Sequence, residues 1–140
     1  MSYKERFAFA FHAPTKIVFG VGALKDAGKE MDGLGMRRAL VVTDLTLKES
    51  PMVKSLMESL GEKCAGVYGE AIPDSSFQVV AEGVKSFREK GADGIISIGG
   101  GSSMDTAKAI GILARKGKED IREFAGRNKV GEAIVPHIAV

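Results

Sequence analysis

Cysteine, histidine and tryptophan are scarce in this chain, and the scarcity narrows its chemistry. The 140 residues include one cysteine, two histidines and no tryptophan. The single Cys64 cannot form an internal disulfide. His12 and His137 lie near opposite ends of the sequence, with no carboxylate at a ligand spacing beside either, so we assign no metal ligand. Neither an internal disulfide nor a metal site is therefore expected in this chain.

Long apolar runs are also missing. No stretch approaches the roughly 20 apolar residues that span a bilayer. The apolar run at residues 7–11, which follows Lys4 and Arg6, is too short for a signal peptide and is soon interrupted by His12 and Pro14. We therefore expect a cytoplasmic protein with no membrane partner.

The chain also lacks a large excess of positive or negative side chains. Lysine and arginine number 20 against 18 acidic residues, a formal net charge of +2. No basic block stands out, which argues against nucleic acid as a partner. At roughly 100–200 residues per domain, the sequence predicts one domain over residues 1–140 with a single core.

Glycine is abundant, with 18 residues, and it separates alternating strand and helix patterns. This alternation predicts an α/β fold, a Rossmann-like parallel sheet flanked by helices. An N-terminal β-hairpin, built from residues 7–11 and 17–19, is predicted to precede it. The remaining predicted strands cover 39–43, 64–68 and 94–98, and the predicted helices cover 23–31, 51–60, 76–90, 102–115 and 120–125.

The turns that follow parallel strands meet at one edge of the sheet, where ligands bind. Functional residues should therefore be sought just after each strand. The final stretch, residues 133–140, is apolar and has no cap, turn or polar tail. We expect the natural protein to continue beyond Val140, because chain ends usually lie in exposed polar sequence.

The segment GIISIGGGSSMDTAK, residues 94–108, carries the strongest functional signal. A predicted buried strand runs into Gly99, Gly100 and Gly101, and a predicted helix follows. Glycines let the backbone approach a phosphate closely, and the helix start offers free N–H groups and a partial positive charge. The structural alternative is a turn closed by a capping box of Ser102 and Asp105. Three consecutive glycines exceed what a turn needs, so we favour a diphosphate site.

Two acidic side chains flank this segment. Asp105 shares a helix face with Lys108, which permits a mutual ion pair or contact with a ligand hydroxyl or carboxamide. Asp44 follows the strand at 39–43, where it can accept hydrogen bonds from a ribose hydroxyl and repel a 2′-phosphate. That role would favour NAD over NADP, and a turn or capping role for Asp44 is equally compatible with its neighbours.

A second glycine pair does not meet the usual dinucleotide fingerprint. Gly20 and Gly22 lie between a predicted strand and a helix, but Lys25 stands where G-x-G-x-x-G requires its third glycine. We expect a hairpin or close-packing role for them. No nucleophile motif occurs, and we assign no catalytic residue.

The segment GGGSSMDTAK at residues 99–108 resembles the G-G-G-S-x-x-D-x-A-K signature of the iron-dependent (group III) alcohol dehydrogenases. Flanking segments resemble the same family in the same order. They are PTKIVFGVGAL at 14–24, VTD at 42–44, IP at 72–73 and ADGIISI at 92–98.

This resemblance implies an N-terminal dinucleotide-binding domain and a helical C-terminal domain that holds catalytic iron or zinc. The helical domain and its ligands, one Asp and three His, are absent from this chain. It also implies hydride transfer between a primary or secondary alcohol and NAD(P), with NAD the expected coenzyme. The isolated chain is therefore expected to be inactive.

By position in the family pattern, the resemblance implies a set of coenzyme-binding residues. The glycines and Ser102 would hold the pyrophosphate, Pro73 would line the coenzyme cleft, and Asp105 would lie toward the nicotinamide. The full set is Asp44, Pro73, Gly99, Gly100, Gly101, Ser102 and Asp105.

Three other functions stay open on the sequence. The chain could be a stand-alone nucleotide-binding module, or the coenzyme domain of a related zinc-dependent glycerol dehydrogenase. A phosphosugar-binding isomerase-type domain would explain residues 99–103 but not Asp44 and Pro73. An exposed cleft face would favour association into a homo-oligomer.

Overall fold

The computed structural model describes residues 11–73 and 76–140, which form a parallel sheet with helices on both faces. In this part of the chain, strands and helices alternate along the sequence. The strands are β1 (Ala39–Asp44), β2 (Cys64–Ala71), β3 (Gly94–Ser97) and β4 (His137–Ala139), and the helices are α1 (Ala27–Gly33), α2 (Pro51–Leu60), α3 (Phe77–Glu89) and α4 (Gly101–Lys116). Short 3₁₀ turns cover Ala23–Asp26, Gly61–Lys63 and Ile121–Phe124.

The sheet order is β2-β1-β3-β4, and each neighbouring pair is parallel. Every residue of β3 is buried, as is β1 up to Thr43. Successive side chains of a strand point to opposite faces, so Val41 and Ile96 pack into one core with α1 and α2. Leu40, Val42 and Ile95 pack into the other core with α3 and α4. The α/β parallel sheet predicted from the sequence is confirmed.

Two of the helices begin where serine offers a cap. The Ser50 hydroxyl accepts a hydrogen bond from the Val53 N–H at 3.3 Å, and Pro51 occupies the first helical position of α2. The Ser76 hydroxyl accepts from the Val79 N–H at 3.2 Å at the start of α3. These caps fix where each helix leaves the sheet edge.

The predicted N-terminal hairpin is corrected in the part that the structure describes. Residues 17–19 form no strand, and Ile17, Val18 and Phe19 are exposed. A β-strand needs a hydrogen-bonded neighbour, and apolar alternation alone does not supply one. The other predicted strand, residues 7–11, lies outside the described residues except for Phe11.

No helix of the described residues is long and apolar enough to cross a membrane.

Candidate functional site

The carboxyl ends of the strands form one edge of the sheet. The chain goes from β1 outward to β2 and then crosses over to β3 on the other side of β1. Ligands bind at such a switch point in parallel sheets. Here the switch point lies between Asp44, at the end of β1, and the glycines that follow β3.

The amino end of α4 faces this edge without a side-chain cap. Gly100 is the N-cap residue, in extended conformation, and its carbonyl accepts from the Met104 N–H at 3.2 Å. The first N–H groups of a helix have no partner within it, which here concerns residues 101–103. A Cβ placed on Gly100 or Gly101 would meet no atom within 4 Å. Gly101 is exposed and Ser102 is partly exposed, so their amides are open to an approaching anion, whereas Ser103 is buried. The helix dipole favours an anion at this end.

Gly99 joins β3 to this helix start in a conformation that favours glycine. Its φ is +134°, and a Cβ there would lie 2.7 Å from Ser103 Oγ. The Gly99 N–H donates to the Val140 carbonyl at 3.2 Å. Close by, the buried Thr43 hydroxyl donates to the Ile98 carbonyl at 2.8 Å, which ties the end of β1 to the end of β3. The turn is thus held from both neighbouring strands.

The two carboxylate oxygens of Asp44 have different neighbours. Its Oδ1 accepts from the N–H groups of Thr46 at 2.8 Å and Leu47 at 2.9 Å. Its Oδ2 lies 3.5 Å from the Cβ position of Gly99. One carboxylate oxygen therefore stabilises the turn after β1, and the other is directed at the glycines.

Ser102 lies inside α4 and does not cap it. The helix begins at Gly101, one residue earlier than predicted, and no side chain caps it. The structural alternative, a capping box of Ser102 and Asp105, is therefore contradicted, because Gly100 takes the N-cap position. Asp105 instead pairs with Lys108 at 3.2 Å, and both side chains are mostly exposed.

Pro73 lies just beyond the end of β2, and Asp105 lies in α4 on a groove that neither Asp44 nor the three glycines line. Ala71 is in register with Asp44 across the β1–β2 pair, so Pro73 follows two residues beyond it, exposed. Asp105 lines a groove of about 380 Å³ together with Phe77 and Ile112. Gly20 and Gly22, in contrast, make a turn before the first 3₁₀ segment, and neither is closely packed.

Two features near the site were not predicted, a buried hydroxyl and a contact between two side chains. Ser103 is buried at 1% exposure, and its Oγ has no hydrogen-bond partner among the described residues. Ser97 Oγ and His137 Nε2 lie 2.8 Å apart across the β3–β4 pair. Burial lowers the pKa of His137, and the nearby Lys108 ammonium lowers it further. Sequence spacing offered no signal for this contact, because 40 residues separate the two positions.

The lowered pKa of His137 predicts a stability that falls on acidification. The unfolded chain binds a proton at this imidazole near pH 6.5, whereas the folded chain resists it down to a lower pH. The free energy of unfolding should therefore decrease as the pH drops below about 6.5. Urea denaturation at pH 7.5 and pH 5.5 measures this decrease. His137→Gln should make it smaller, and the exposed His12→Gln serves as the matched control. An equal decrease in wild type and His137→Gln would contradict the assignment.

Metal donors do not cluster in the part of the chain that the structure describes. Within residues 11–73 and 76–140, no group of three or more His, Cys, Asp or Glu side chains could hold a metal ion. The donors at this edge are backbone amides at the start of α4, beside the Asp44 carboxylate, and such amides can bind an anion.

Comparison with known proteins identifies relatives of this chain. A family model described as iron-containing alcohol dehydrogenase matches residues 14–140. The NAD-dependent methanol dehydrogenase of Bacillus methanolicus is 36% identical over 132 residues, which cover 93% of this chain and 34% of that protein. The chain thus spans about a third of the length of the curated relative it matches.

Solved structures agree with the sequence comparison. The alcohol dehydrogenase from Oenococcus oeni superposes with a TM-score of 0.84 at 31% identity, over 94% of this chain and 35% of that one. The NADH-dependent butanol dehydrogenase A of Thermotoga maritima gives a TM-score of 0.82 at 28% identity, over 94% and 34%.

Proposed function

This chain belongs to the iron-containing alcohol dehydrogenase family, and we propose that residues 1–140 are the coenzyme-binding part of a metal-dependent alcohol dehydrogenase. The whole protein would transfer hydride between a primary or secondary alcohol and NAD. Relatives named NAD-dependent methanol dehydrogenase and lactaldehyde reductase support a small alcohol or aldehyde as substrate.

The observation that carries this proposal is the uncapped start of α4 beside Asp44. The amides of Gly101 and Ser102 are open to an anion, and the Gly100 and Gly101 surface leaves room for one. An orphaned buried hydroxyl, Ser103 Oγ, lies at the same turn. A diphosphate fits this arrangement, since it brings acceptor oxygens to donors that have no partner.

The residues have separate proposed roles in binding a dinucleotide. Gly99, Gly100, Gly101 and Ser102 hold the diphosphate, and Asp44 Oδ2 accepts from ribose hydroxyls. Flanking these, Pro73 lines the cleft on the β2 side and Asp105 lies toward the nicotinamide. The nicotinamide ring, when bound, accepts or delivers the hydride. The chain's own contribution is to bind and orient the coenzyme.

The preference for NAD is tested at Asp44. We expect NADH to bind at least about tenfold more tightly than NADPH, because the carboxylate repels a 2′-phosphate. Fluorescence titration of both coenzymes measures the ratio. Asp44→Gly and Asp44→Asn should both narrow it.

The asparagine variant separates charge from structure. Its side-chain carbonyl would keep an acceptor for the Thr46 and Leu47 amides, while the negative charge is lost. Thermal stability should therefore stay closer to wild type in Asp44→Asn than in Asp44→Gly. Equal or tighter NADPH binding by the wild-type chain would refute the role given to Asp44.

The catalytic iron or zinc is proposed to bind elsewhere in the whole protein, because the described residues do not fit a metal. We therefore expect no alcohol oxidation by the 140-residue chain alone. NADH formation from NAD and a short alcohol, followed at 340 nm with Fe²⁺ or Zn²⁺ added, checks this. Metal-stimulated NADH production would show that the chain is catalytically complete.

A further inference from the structure

Ser103, the third residue of α4, carries a hydroxyl with no partner. The side chain is buried, and its Oγ makes no hydrogen bond. A buried hydroxyl without a partner is unfavourable in the free chain. Native proteins satisfy most such groups, so an orphan at the edge of a binding site suggests a partner that arrives with the ligand.

The Ser103 side chain is directed at the glycine turn. Side chains of a helix tilt toward its amino end. In agreement, Ser103 Oγ lies 2.7 Å from the Cβ position of Gly99, which is the space that glycine leaves empty. The hydroxyl therefore lies on the same end of α4 as the open amides of Gly101 and Ser102.

Asp44 is the competing acceptor for this hydroxyl. Its Oδ2 approaches the same Gly99 position at 3.5 Å, but no hydrogen bond joins it to Ser103. Two backbone amides hold Asp44 through Oδ1, which limits its movement toward Ser103. A ligand entering beside the unobstructed Gly100 and Gly101 has no such restraint.

We propose that the Ser103 hydroxyl is an additional coenzyme-binding donor, which hydrogen-bonds a diphosphate oxygen at the start of α4. This rests on the proposed function and extends it to a residue with no assigned role. The Gly99 turn covers the hydroxyl in the free chain, so the bond forms as the turn adjusts around the diphosphate. The donor is satisfied only in the bound state.

The test compares ADP, which carries the diphosphate, with adenosine, which does not. Isothermal titration of the 140-residue chain should show that Ser103→Ala weakens ADP binding at least about tenfold, the lower end of the range for a hydrogen bond to a charged group. Adenosine binding should stay unchanged. Ser59→Ala, which removes a helix hydroxyl from α2 that donates to the Leu56 carbonyl, is the matched control and should bind both ligands as wild type does.

Stability separates loss of a ligand contact from damage to the fold. Removing an orphaned hydroxyl should leave the melting temperature of the free chain equal or higher. Ser103→Cys keeps the side-chain shape with a slightly larger atom and a weaker donor, and should reproduce the loss for ADP. ADP affinity within twofold of wild type in both variants would overturn the inference. Equal losses of affinity for ADP and adenosine would overturn it as well. Because both ligands carry the ribose that Asp44 is proposed to bind, that result would identify Asp44 as the acceptor of the Ser103 hydroxyl. A wild-type chain that binds neither NADH nor ADP would overturn the proposed function itself.

Discussion

Gly99→Ala is expected to weaken NADH binding by at least about 30-fold. An alanine at φ +134° is strained, and its Cβ would lie 2.7 Å from Ser103 Oγ and 3.2 Å from Ser103 Cβ. Backbone strain of this kind costs on the order of 2 kcal/mol. If the free chain relieves the strain by moving the turn, binding must restore the turn at this cost, which corresponds to about 30-fold in affinity. Moving the turn would also displace the amides that are proposed to hold the diphosphate. NADH fluorescence titration measures the effect.

Gly126 provides the matched control for this substitution. Its φ is +117°, so alanine is strained there too, but a Cβ would only touch Lys129 at 3.6 Å. Gly126→Ala should lower stability and leave NADH affinity unchanged. If both variants lost affinity equally, general destabilisation rather than the glycine turn would explain the result for Gly99.

Gly83→Ala is expected to lower the free energy of unfolding by about 1–3 kcal/mol, the usual cost of overpacking. Gly83 lies in α3 where this helix crosses α4. A Cβ there would overlap Ile110 Cδ1, and it would lie 2.8 Å from Ile110 Cγ1 and 3.1 Å from Tyr68 Cε1. Alanine is the better helix former by about 1 kcal/mol, so a loss of stability would show that packing outweighs helix propensity. Urea denaturation gives the value.

Gly28 shows the opposite case in α1. A Cβ there would make an ordinary contact with Leu60 Cδ2 at 3.7 Å. Gly28→Ala should therefore raise stability by about 0.5–1 kcal/mol. If Gly83→Ala stabilised the chain as Gly28→Ala does, the close approach of α3 and α4 would be contradicted.

Local sequence signals predicted much of the fold. The strand predicted at 39–43 and the helix predicted at 51–60 depend on neighbouring residues only, and the structure confirms both. The extent of β2 was underestimated, because pairing with β1 extends it to Ala71. Residues 17–19 show the reverse error, because a strand was predicted where none forms. Three apolar residues form a strand only where a neighbouring strand can hydrogen-bond to them.

The geometry of the candidate site could be predicted only in part from the sequence. Its position at the sheet edge follows from parallel topology, so Asp44 and Gly99 could be placed near each other in advance. The start of α4 could not, because the backbone of Gly100 decides it rather than the capping preference of Ser102. The burial of Ser103 and the contact of Ser97 with His137 depend on tertiary packing across distant segments.

The central position of β1 in the sheet keeps the geometry of the site intact when peripheral segments open. β1 is hydrogen-bonded to β2 on one side and β3 on the other, and helices cover both of its faces. Elements enclosed in this way open only when the whole domain unfolds. Asp44 ends this strand, and Gly99 is tied to it through Thr43 and Ile98. Fraying of the periphery, such as the segment before α1, should thus leave the spacing between carboxylate and glycine turn intact.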